Sequence, residues 1–176
     1  MTELRTERLR LRRLTLEDGA FILRHVNEPS FIENIRDSGV RSLDDARRYI
    51  EDGPLTSYRQ HGFGLLAIER LEDPGAIGMC GLLKRPHLEA PDIGFALDPP
   101  HRGQGYATES CRAVLAWASG HGIPRILAIT SPENTASQEV LRRIGMVREA
   151  DRSLENGPVA VFSLDLSVHD NFNRAG

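Results

Sequence analysis

The sequence of 176 residues lacks the features that define several large classes of protein. Its two cysteines, Cys80 and Cys111, are too few for the disulfide framework of a small secreted domain and do not have the spacing of metal ligands. No apolar run approaches the roughly 18 residues of a membrane-spanning helix, and residues 1–10 contain no apolar signal segment. We therefore expect a cytoplasmic protein with no membrane segment and no metal centre.

An excess of positive charge is also absent. The formal net charge is −3 and the pI is about 6.1, so no overall attraction to nucleic acid or anionic lipid is expected. Arginines near the N-terminus alternate with leucines, as on a half-buried strand, and no aromatic residues are interleaved with them as in a nucleic-acid-binding arm. We predict no nucleic-acid partner, and any anion must be bound by a local arrangement.

A balanced composition and a clear succession of elements are present instead. The hydrophobic fraction of 40% and the charged fraction of 27% are those of a chain that buries its own core. The patterns predict strands near 9–14, 63–69, 76–84, 92–97, 125–130, 146–152 and 158–166, and helices over 17–27, from 42 to a stop at 53–54, over 106–119 and over 134–144. This order predicts a single α/β (α+β) domain with a mixed sheet of about seven strands flanked by about four helices. Its core would span residues 6–166, and the polar tail at 167–176 would fray.

The most informative segment joins the strand at 92–97 to the helix at 106–119. It reads Arg102-Gly103-Gln104-Gly105-Tyr106-Ala107. The two glycines permit positive φ angles and a close approach of a ligand to the backbone, whose N–H groups can bind an anion at the positive end of the helix. Arg102 would add a charged donor. An isolated Gly-x-Gly is more often a plain turn, but the strand before it and the helix after it favour an anion site.

Two nucleotide-binding patterns are excluded at this loop. A dinucleotide fingerprint requires a third glycine three residues after Gly105, where Thr108 stands. A phosphate-binding Walker loop requires Gly-Lys-Ser/Thr, which is absent. The anion is therefore of another kind.

The loop resembles the pyrophosphate-binding motif of the GNAT acetyltransferase superfamily, Arg/Gln-x-x-Gly-x-Gly/Ala, at residues 102–107. A second family signature, Asn-x-x-Ser followed by Gly-Phe, is similar to residues 134–146, where Met146 replaces the usual phenylalanine. The opening at 6–12 and the phrase at 105–109 look like the RimJ/RimL-type branch. The resemblance covers residues 6–166 and implies the GNAT fold with a mostly antiparallel sheet.

The resemblance also implies a co-substrate, acetyl-CoA, and a set of residues that bind it. Backbone donors near Leu97 would polarise the thioester carbonyl, and Asn134 would lie against the pantetheine arm. The pyrophosphate would contact the loop residues Arg102, Gly103, Gln104, Gly105, Tyr106 and Ala107. No metal is implied.

For the general base, Asp92 is the first candidate, because several GNAT enzymes place a glutamate at the corresponding position. An equally good alternative is a solvated carboxylate at the start of a strand, and His87 and Glu89 are weaker candidates. Because aspartate is one methylene shorter than glutamate, a water relay would be needed between Asp92 and the amine.

For the general acid, many GNAT enzymes use a tyrosine in the helix that follows the fifth strand. In this sequence that helix is the one predicted over 134–144, and it contains no tyrosine. Some RimL-like members offer the serine of the second signature, here Ser137, whose alternative role is capping or packing of its helix. Cys111 lies on the apolar stripe of the helix at 106–119, so we expect it to be buried and not to act as a nucleophile; Cys80 is expected to be buried as well.

The predicted reaction is direct transfer of an acetyl group from acetyl-CoA to a primary amine, either a peptide or protein N-terminus or a small-molecule amine. The acidic residues Glu28, Glu33 and Asp37 could attract a cationic acceptor, or they could be solvated helix ends. The alternative is a non-catalytic acyl-CoA-binding or regulatory module that has the same fold. The sequence is compatible with a monomer or a homodimer.

Overall fold

The computed structural model describes residues 1–154 and 157–167, so the expected fraying of the tail beyond Ser167 lies outside the described residues. The strands are β1 (Glu3–Arg5), β2 (Leu9–Arg13), β3 (Leu65–Arg70), β4 (Ala76–Leu83), β5 (Asp92–Leu97), β6 (Arg125–Thr130), β7 (Val147–Arg148), β8 (Arg152–Leu154) and β9 (Gly157–Asp165). The α-helices are α1 (Gly19–His25), α2 (Pro29–Asn34), α3 (Leu43–Ile50), α4 (Thr56–His61), α5 (Tyr106–Gly120) and α6 (Thr135–Arg143).

The strands form one mixed sheet in the order β1-β2-β3-β4-β5-β6-β9-β7, with β8 paired to β9. Neighbours are antiparallel except for β5 and β6, which are parallel. The expected α/β class with a mostly antiparallel sheet is confirmed. The structure has more elements than expected because β1, β8 and α2 are too short to produce a clear periodicity in the sequence.

Helices cover both faces of the sheet. On one face, α5 packs its buried stripe against β4 and β5, and the contact includes Cys80 and Cys111, whose sulfur atoms are 3.7 Å apart. On the other face, α1 and α3 enclose a second apolar cluster that reaches Ala67 of β3 and Met79 of β4. Both cysteines are completely buried, as expected for small hydrophobes in a core.

The expected end of the second helix at Gly53-Pro54 is wrong. The chain continues from α3 through a π-helical turn, Glu51–Leu55, directly into α4. Pro54 has no N–H to donate to the preceding turn. The π-helical turn keeps the chain helical despite this missing donor, because the N–H of Thr56 donates to the carbonyl of Glu51. The Thr56 hydroxyl donates to the same oxygen at 2.8 Å. The helix finally ends at Gly62, which has a φ of 74°.

Candidate functional site

A gap opens in the middle of the sheet between the parallel strands β5 and β6. Their register contains a single pair, Asp92 with Leu127, and the N–H of Leu127 also donates to the carbonyl of Pro91 at 2.9 Å. In contrast, β5 pairs with β4 along its whole length, from Asp92 to Leu97. The two parallel strands therefore meet only where β5 begins and separate towards its carboxyl end.

The backbone of β5 turns polar groups into this gap. The N–H of Asp98 donates to Ile77 at 2.8 Å, and the preceding residue Leu97 faces Gly78. Because hydrogen-bonded and non-hydrogen-bonded pairs alternate along an antiparallel ladder, the N–H of Leu97 points away from β4 and towards β6. β6 has no pairing there, so this N–H is positioned to serve a ligand in the gap.

The loop at 102–107 lies at the carboxyl end of β5 and leads into α5. Gly103 and Gly105 have φ angles of 72° and 83°, in the left-handed region that favours glycine, and Gly105 is the N-cap of α5. A Cβ on Gly105 would lie 3.3 Å from a guanidinium nitrogen of Arg8. The first-turn N–H groups of this 15-residue helix are thus accessible to an anion that approaches the backbone closely.

The side chains of this loop bind neighbouring parts of the protein. Arg102 donates from Nε to the carbonyl of Leu97 at 2.8 Å and from Nη2 to the carboxylate of Glu28 at 3.2 Å. The side-chain amide of Gln104 donates to the carbonyl of Pro100 at 3.0 Å. Arg102 remains half exposed, but its charge is shared with Glu28, which caps α2. The backbone of the loop, more than its side chains, is free for an anion.

A second connection joins the α1–α2 region to the residue that follows β5. Asp98 accepts from Nδ1 of the buried His25 at 2.5 Å and from Arg24 at 3.1 Å. Burial opposes ionisation of Asp98, but the bonds from His25 and Arg24 outweigh it and lower the pKa of its carboxyl group. Sequence reasoning did not find this contact, since 73 positions separate the two side chains.

Arg8 and Glu109 support the loop from outside. Glu109 accepts from the Thr6 hydroxyl at 2.6 Å and from Nε of Arg8 at 2.7 Å, and Arg8 also donates to the carbonyl of Gln104 at 3.0 Å. The guanidinium group lies 4.6 Å above the ring of Tyr106. Burial opposes ionisation of Glu109, but the bonds from Thr6 and Arg8 prevail and lower its pKa. The two sequence segments similar to the RimJ/RimL branch are thus in direct contact.

Asp92 lies at the point where β5 and β6 meet. Its side chain is 1% exposed, and both carboxylate oxygens accept from Nε of Arg85, at 3.0 and 3.1 Å. Burial raises the pKa of Asp92, although the charge and the hydrogen bonds of Arg85 act in the opposite direction. The weaker candidates lie at the surface: His87 is exposed, and the pKa of Glu89 is lowered to about 2 by its pairing with Arg152.

Asn134 and Ser137 lie at the start of α6, in the segment that follows the carboxyl end of β6. Asn134 is the N-cap of this helix and accepts from the N–H of Ser137 at 3.0 Å. Within the described residues, the hydroxyl of Ser137 makes no hydrogen bond, so it is free to act on a ligand. Because β5 and β6 are parallel, this segment and the loop at 102–107 both follow the open end of the gap.

The sequence profile of a family described as "Acetyltransferase (GNAT) domain" matches residues 8–147. The chain belongs to the GNAT acetyltransferase family. It is an acyltransferase, and the resemblance stated from its motifs is confirmed. An uncharacterized N-acetyltransferase of Bacillus subtilis (strain 168), YnaD, is 27% identical over 145 residues, which cover 82% of each chain.

Solved structures of GNAT proteins share the fold. An acetyltransferase from Agrobacterium tumefaciens is 27% identical, has a TM-score of 0.78, and covers 93% of this chain and 94% of its own. RimL, a ribosomal L7/L12 alpha-N-protein acetyltransferase in complex with coenzyme A, has a TM-score of 0.81 at 20% identity and covers 93% of this chain and 97% of its own. At that identity the likeness to RimL is one of fold, and it agrees with the expected branch.

Two further structural observations concern other classes of site. In residues 1–154 and 157–167, no helix combines the length and the apolar character needed to cross a membrane. The same part of the chain holds no cluster of three or more histidine, cysteine or acidic side chains arranged to bind a metal ion.

Proposed function

We propose that this GNAT protein transfers the acetyl group of acetyl-CoA directly to a primary amine, with both substrates bound at once. The observation that carries the proposal is the gap between β5 and β6, which leads to the glycine-rich N-terminus of α5. Both halves of the sheet border this gap, so we also propose that residues 6–166 act as one domain.

The residues present fit coenzyme A. The N–H groups of residues 103–107 would hold the pyrophosphate, at a loop where a side chain on Gly105 would occupy the approach. The pantetheine arm would lie in the gap beside Asn134, and the N–H of Leu97 would donate to the thioester carbonyl. Acetyl-CoA supplies an activated acetyl group; the protein orients it and stabilises the charge that develops on its oxygen.

Proton transfer is assigned to Asp92 and Ser137. In this assignment the amine nitrogen forms a bond to the acetyl carbon, and the carbon–sulfur bond breaks. The amine proton passes to Asp92 through a chain of water molecules, because Asp92 and Leu97 lie at opposite ends of β5, about 16 Å apart. Ser137 donates a proton to the departing sulfur and recovers one from solvent. The raised pKa of Asp92 supports its role, because a more basic carboxylate accepts a proton more readily.

The acceptor is a primary amine, either a peptide N-terminus or a small molecule. The expectation that acidic residues near the first helices attract a cationic acceptor has little support, because two of the three are paired with arginines. Glu28 binds Arg102, and Asp37 binds Arg41 at the surface. The charge that faces the acceptor must therefore come from other residues.

The test has two measurements on the intact protein. At a coenzyme A concentration about 100 times Kd, binding should stabilise the fold by about 2.7 kcal/mol, seen as a rise in Tm that ATP and NAD do not produce. Release of free coenzyme A, followed with a thiol reagent over a panel of amines and short peptides, reports turnover. Stabilisation without release from any acceptor would favour a non-catalytic module, and no stabilisation by coenzyme A would overturn the proposal.

A further inference from the structure

A cavity of about 450 Å³ lies on the face of the sheet that α1 and α3 cover. It is bordered by the π-helical turn, the start of β3 and the end of β4. Its volume is within the range of about 300–1,000 Å³ typical of small-molecule sites. Asp52, Gly53 and Pro54 of the π turn form one wall, and single π turns inserted into α-helices are often found at functional sites. No part of the loop at 102–107 lines it.

Two cations without partners line this cavity. Arg36 and Lys84 are the only described lysine or arginine side chains, in residues 1–154 and 157–167, that make neither a hydrogen bond nor an ion pair. They come from separate segments, since Arg36 follows α2 and Lys84 follows β4. Asp52 is the single acidic side chain in the lining, so the two free cations dominate its charge.

Tyr49 adds an unused hydroxyl group to the same lining. Within the described residues its hydroxyl has no hydrogen-bond partner, whereas that of Tyr58 accepts from the N–H of Leu14 and donates to the carbonyl of Leu65. Burial raises the pKa of Tyr49, and the nearby charges of Arg36 and Arg85 lower it only in part. Tyr49 is thus a neutral donor near positive charges, an arrangement suited to an anionic group.

Two leucines of the cavity lining lie over Gly94 of β5. Leu65 and Leu83 line the cavity, and a Cβ on Gly94 of β5 would lie 2.8 Å from Leu83 Cδ1 and 3.8 Å from Leu65 Cδ2. Side chains alternate along a strand, so Gly94 and Asp92 face the same side of the sheet. The cavity therefore lies beside the part of β5 that carries the candidate base, at the closed end of the gap.

We infer that this cavity receives the amine acceptor, and that the acceptor carries a carboxylate or phosphate group bound by Arg36 and Lys84, with Tyr49 as a hydrogen-bond donor. The inference rests on the proposed acetyl transfer and specifies its substrate class as a small anionic amine. Two separate cations and a hydroxyl can bind one anion from three directions, which fixes the position of the amine relative to Asp92.

The test compares acceptors that differ in one anionic group, using coenzyme A release by the intact protein. The pairs are L-leucine with 3-methylbutylamine, L-glutamate with L-glutamine, and phosphoethanolamine with ethanolamine. We expect kcat/KM to be higher by about tenfold or more for the anionic member of at least one pair, which also tells a carboxylate from a phosphate. Arg36→Gln and Lys84→Gln should each remove most of that preference, and the effect should appear mainly in KM.

Arg59→Gln is the control, because Arg59 is an exposed arginine of the adjacent helix α4 that bonds only to Thr56 and does not line the cavity. It makes the same change of net charge and should leave the preference intact. Equal kcat/KM within all three pairs, or a preference that survives in both Arg36→Gln and Lys84→Gln, would overturn the inference while the acetyltransferase proposal stands.

A binding measurement separates the two proposals if no amine is acetylated. In calorimetric titrations with coenzyme A present, L-glutamate should bind more tightly than L-glutamine and phosphoethanolamine more tightly than ethanolamine. Lys84→Gln should weaken the binding of both anionic compounds. Selective anion binding without turnover would support the assignment of the cavity as the acceptor site and contradict the proposed acetyl transfer. Absence of any such selectivity would contradict the assignment of the cavity.

Discussion

The loop at 102–107 and the cavity beside Arg36 and Lys84 bind their ligands, as we propose, in opposite ways. The loop is one contiguous segment that offers backbone N–H groups, while its charged side chain, Arg102, is paired with Glu28. The cavity is assembled from separate segments and offers two cationic side chains, Arg36 and Lys84, that have no partner within the described part of the chain. A backbone site suits a co-substrate shared by a whole family, and a side-chain site suits an acceptor that differs from one member to the next.

The largest effect on this comparison is expected from Gly105→Asp. The new side chain would have to adopt a φ of 83°, would meet Arg8, and would place a negative charge where the pyrophosphate binds. We expect affinity for coenzyme A to fall by more than about 100-fold, or 2.7 kcal/mol, measured by calorimetric titration.

Gly122→Asp tests whether that loss is specific to the loop. Gly122 has a φ of 71° at the opposite end of α5, and a Cβ there would meet nothing within 4 Å. It carries similar backbone strain, and binding of coenzyme A should be preserved. Equal loss in both variants would mean that strain, and not the pyrophosphate site, explains the effect.

Asp92→Asn should have the next largest effect, and it lies at the end of β5 that is beside the cavity. Loss of a general base typically costs about 10²–10⁴ in rate, so kcat should fall by about 100-fold while affinity for coenzyme A remains. In the unaltered protein, Asp92 must be ionised to accept a proton, and its pKa is raised. As the pH falls through that raised value the base becomes protonated, so kcat/KM should decline on the acidic side.

Asp92→Glu serves as the companion variant, since it keeps the charge that pairs with Arg85. It should recover part of kcat, and the acidic limb of the pH profile should return with it. If Asp92→Asn retained full kcat together with an unchanged acidic limb, Asp92 would be only a partner of Arg85.

Ser137→Ala should produce a smaller loss, confined to kcat. A thiol with a pKa of about 8.5 leaves readily without full protonation, so we expect about a tenfold decrease, and not the 10²–10⁴ typical of proton transfer. Asn134 would still cap α6 through the backbone N–H of residue 137, so affinity for coenzyme A should not change. An unaltered kcat would leave Ser137 with a packing role only.

The smallest effect is expected from Arg8→Gln, which weakens the outer support of the loop. The variant loses the bonds to Glu109 and the stacking on Tyr106, while the loop keeps its glycines and its helix. We expect the KM for acetyl-CoA to rise by about fivefold at constant kcat, since a partly exposed charged bond contributes about 1 kcal/mol. A decrease in kcat without a change in KM would contradict a supporting role.

The contrast between the two regions also explains what could be predicted from the sequence. Gly103, Gly105 and Asn134 were identifiable because each acts through local geometry, a positive φ or a helix cap, that depends on adjacent residues. The cavity was not identifiable, because Arg36 and Lys84 lie 48 positions apart by their numbers and become neighbours only in the folded sheet and helices. Freedom from partners is a property of the fold and leaves no pattern in the sequence.

The widening between β5 and β6 was likewise invisible in the residues. Both strands read as ordinary apolar runs, and only their register shows that they part after a single pair. Gly53-Pro54 was misjudged for a related reason: these two residues commonly stop a helix, but tertiary packing of α3 and α4 kept the helix going through a wider turn. In each case long-range contacts decided the outcome.

That wider turn has a consequence for how such a protein could acquire a new acceptor. A π turn contains about one residue more than an α turn, and each residue of an α-helix advances the chain by about 100° around the axis. Deleting Gly53 would therefore shorten this turn by one residue and rotate the segment that carries Tyr58 relative to α3. The dimensions of the pocket are thus set by the number of residues in one turn, so a single-codon deletion could alter specificity more than any substitution in its walls.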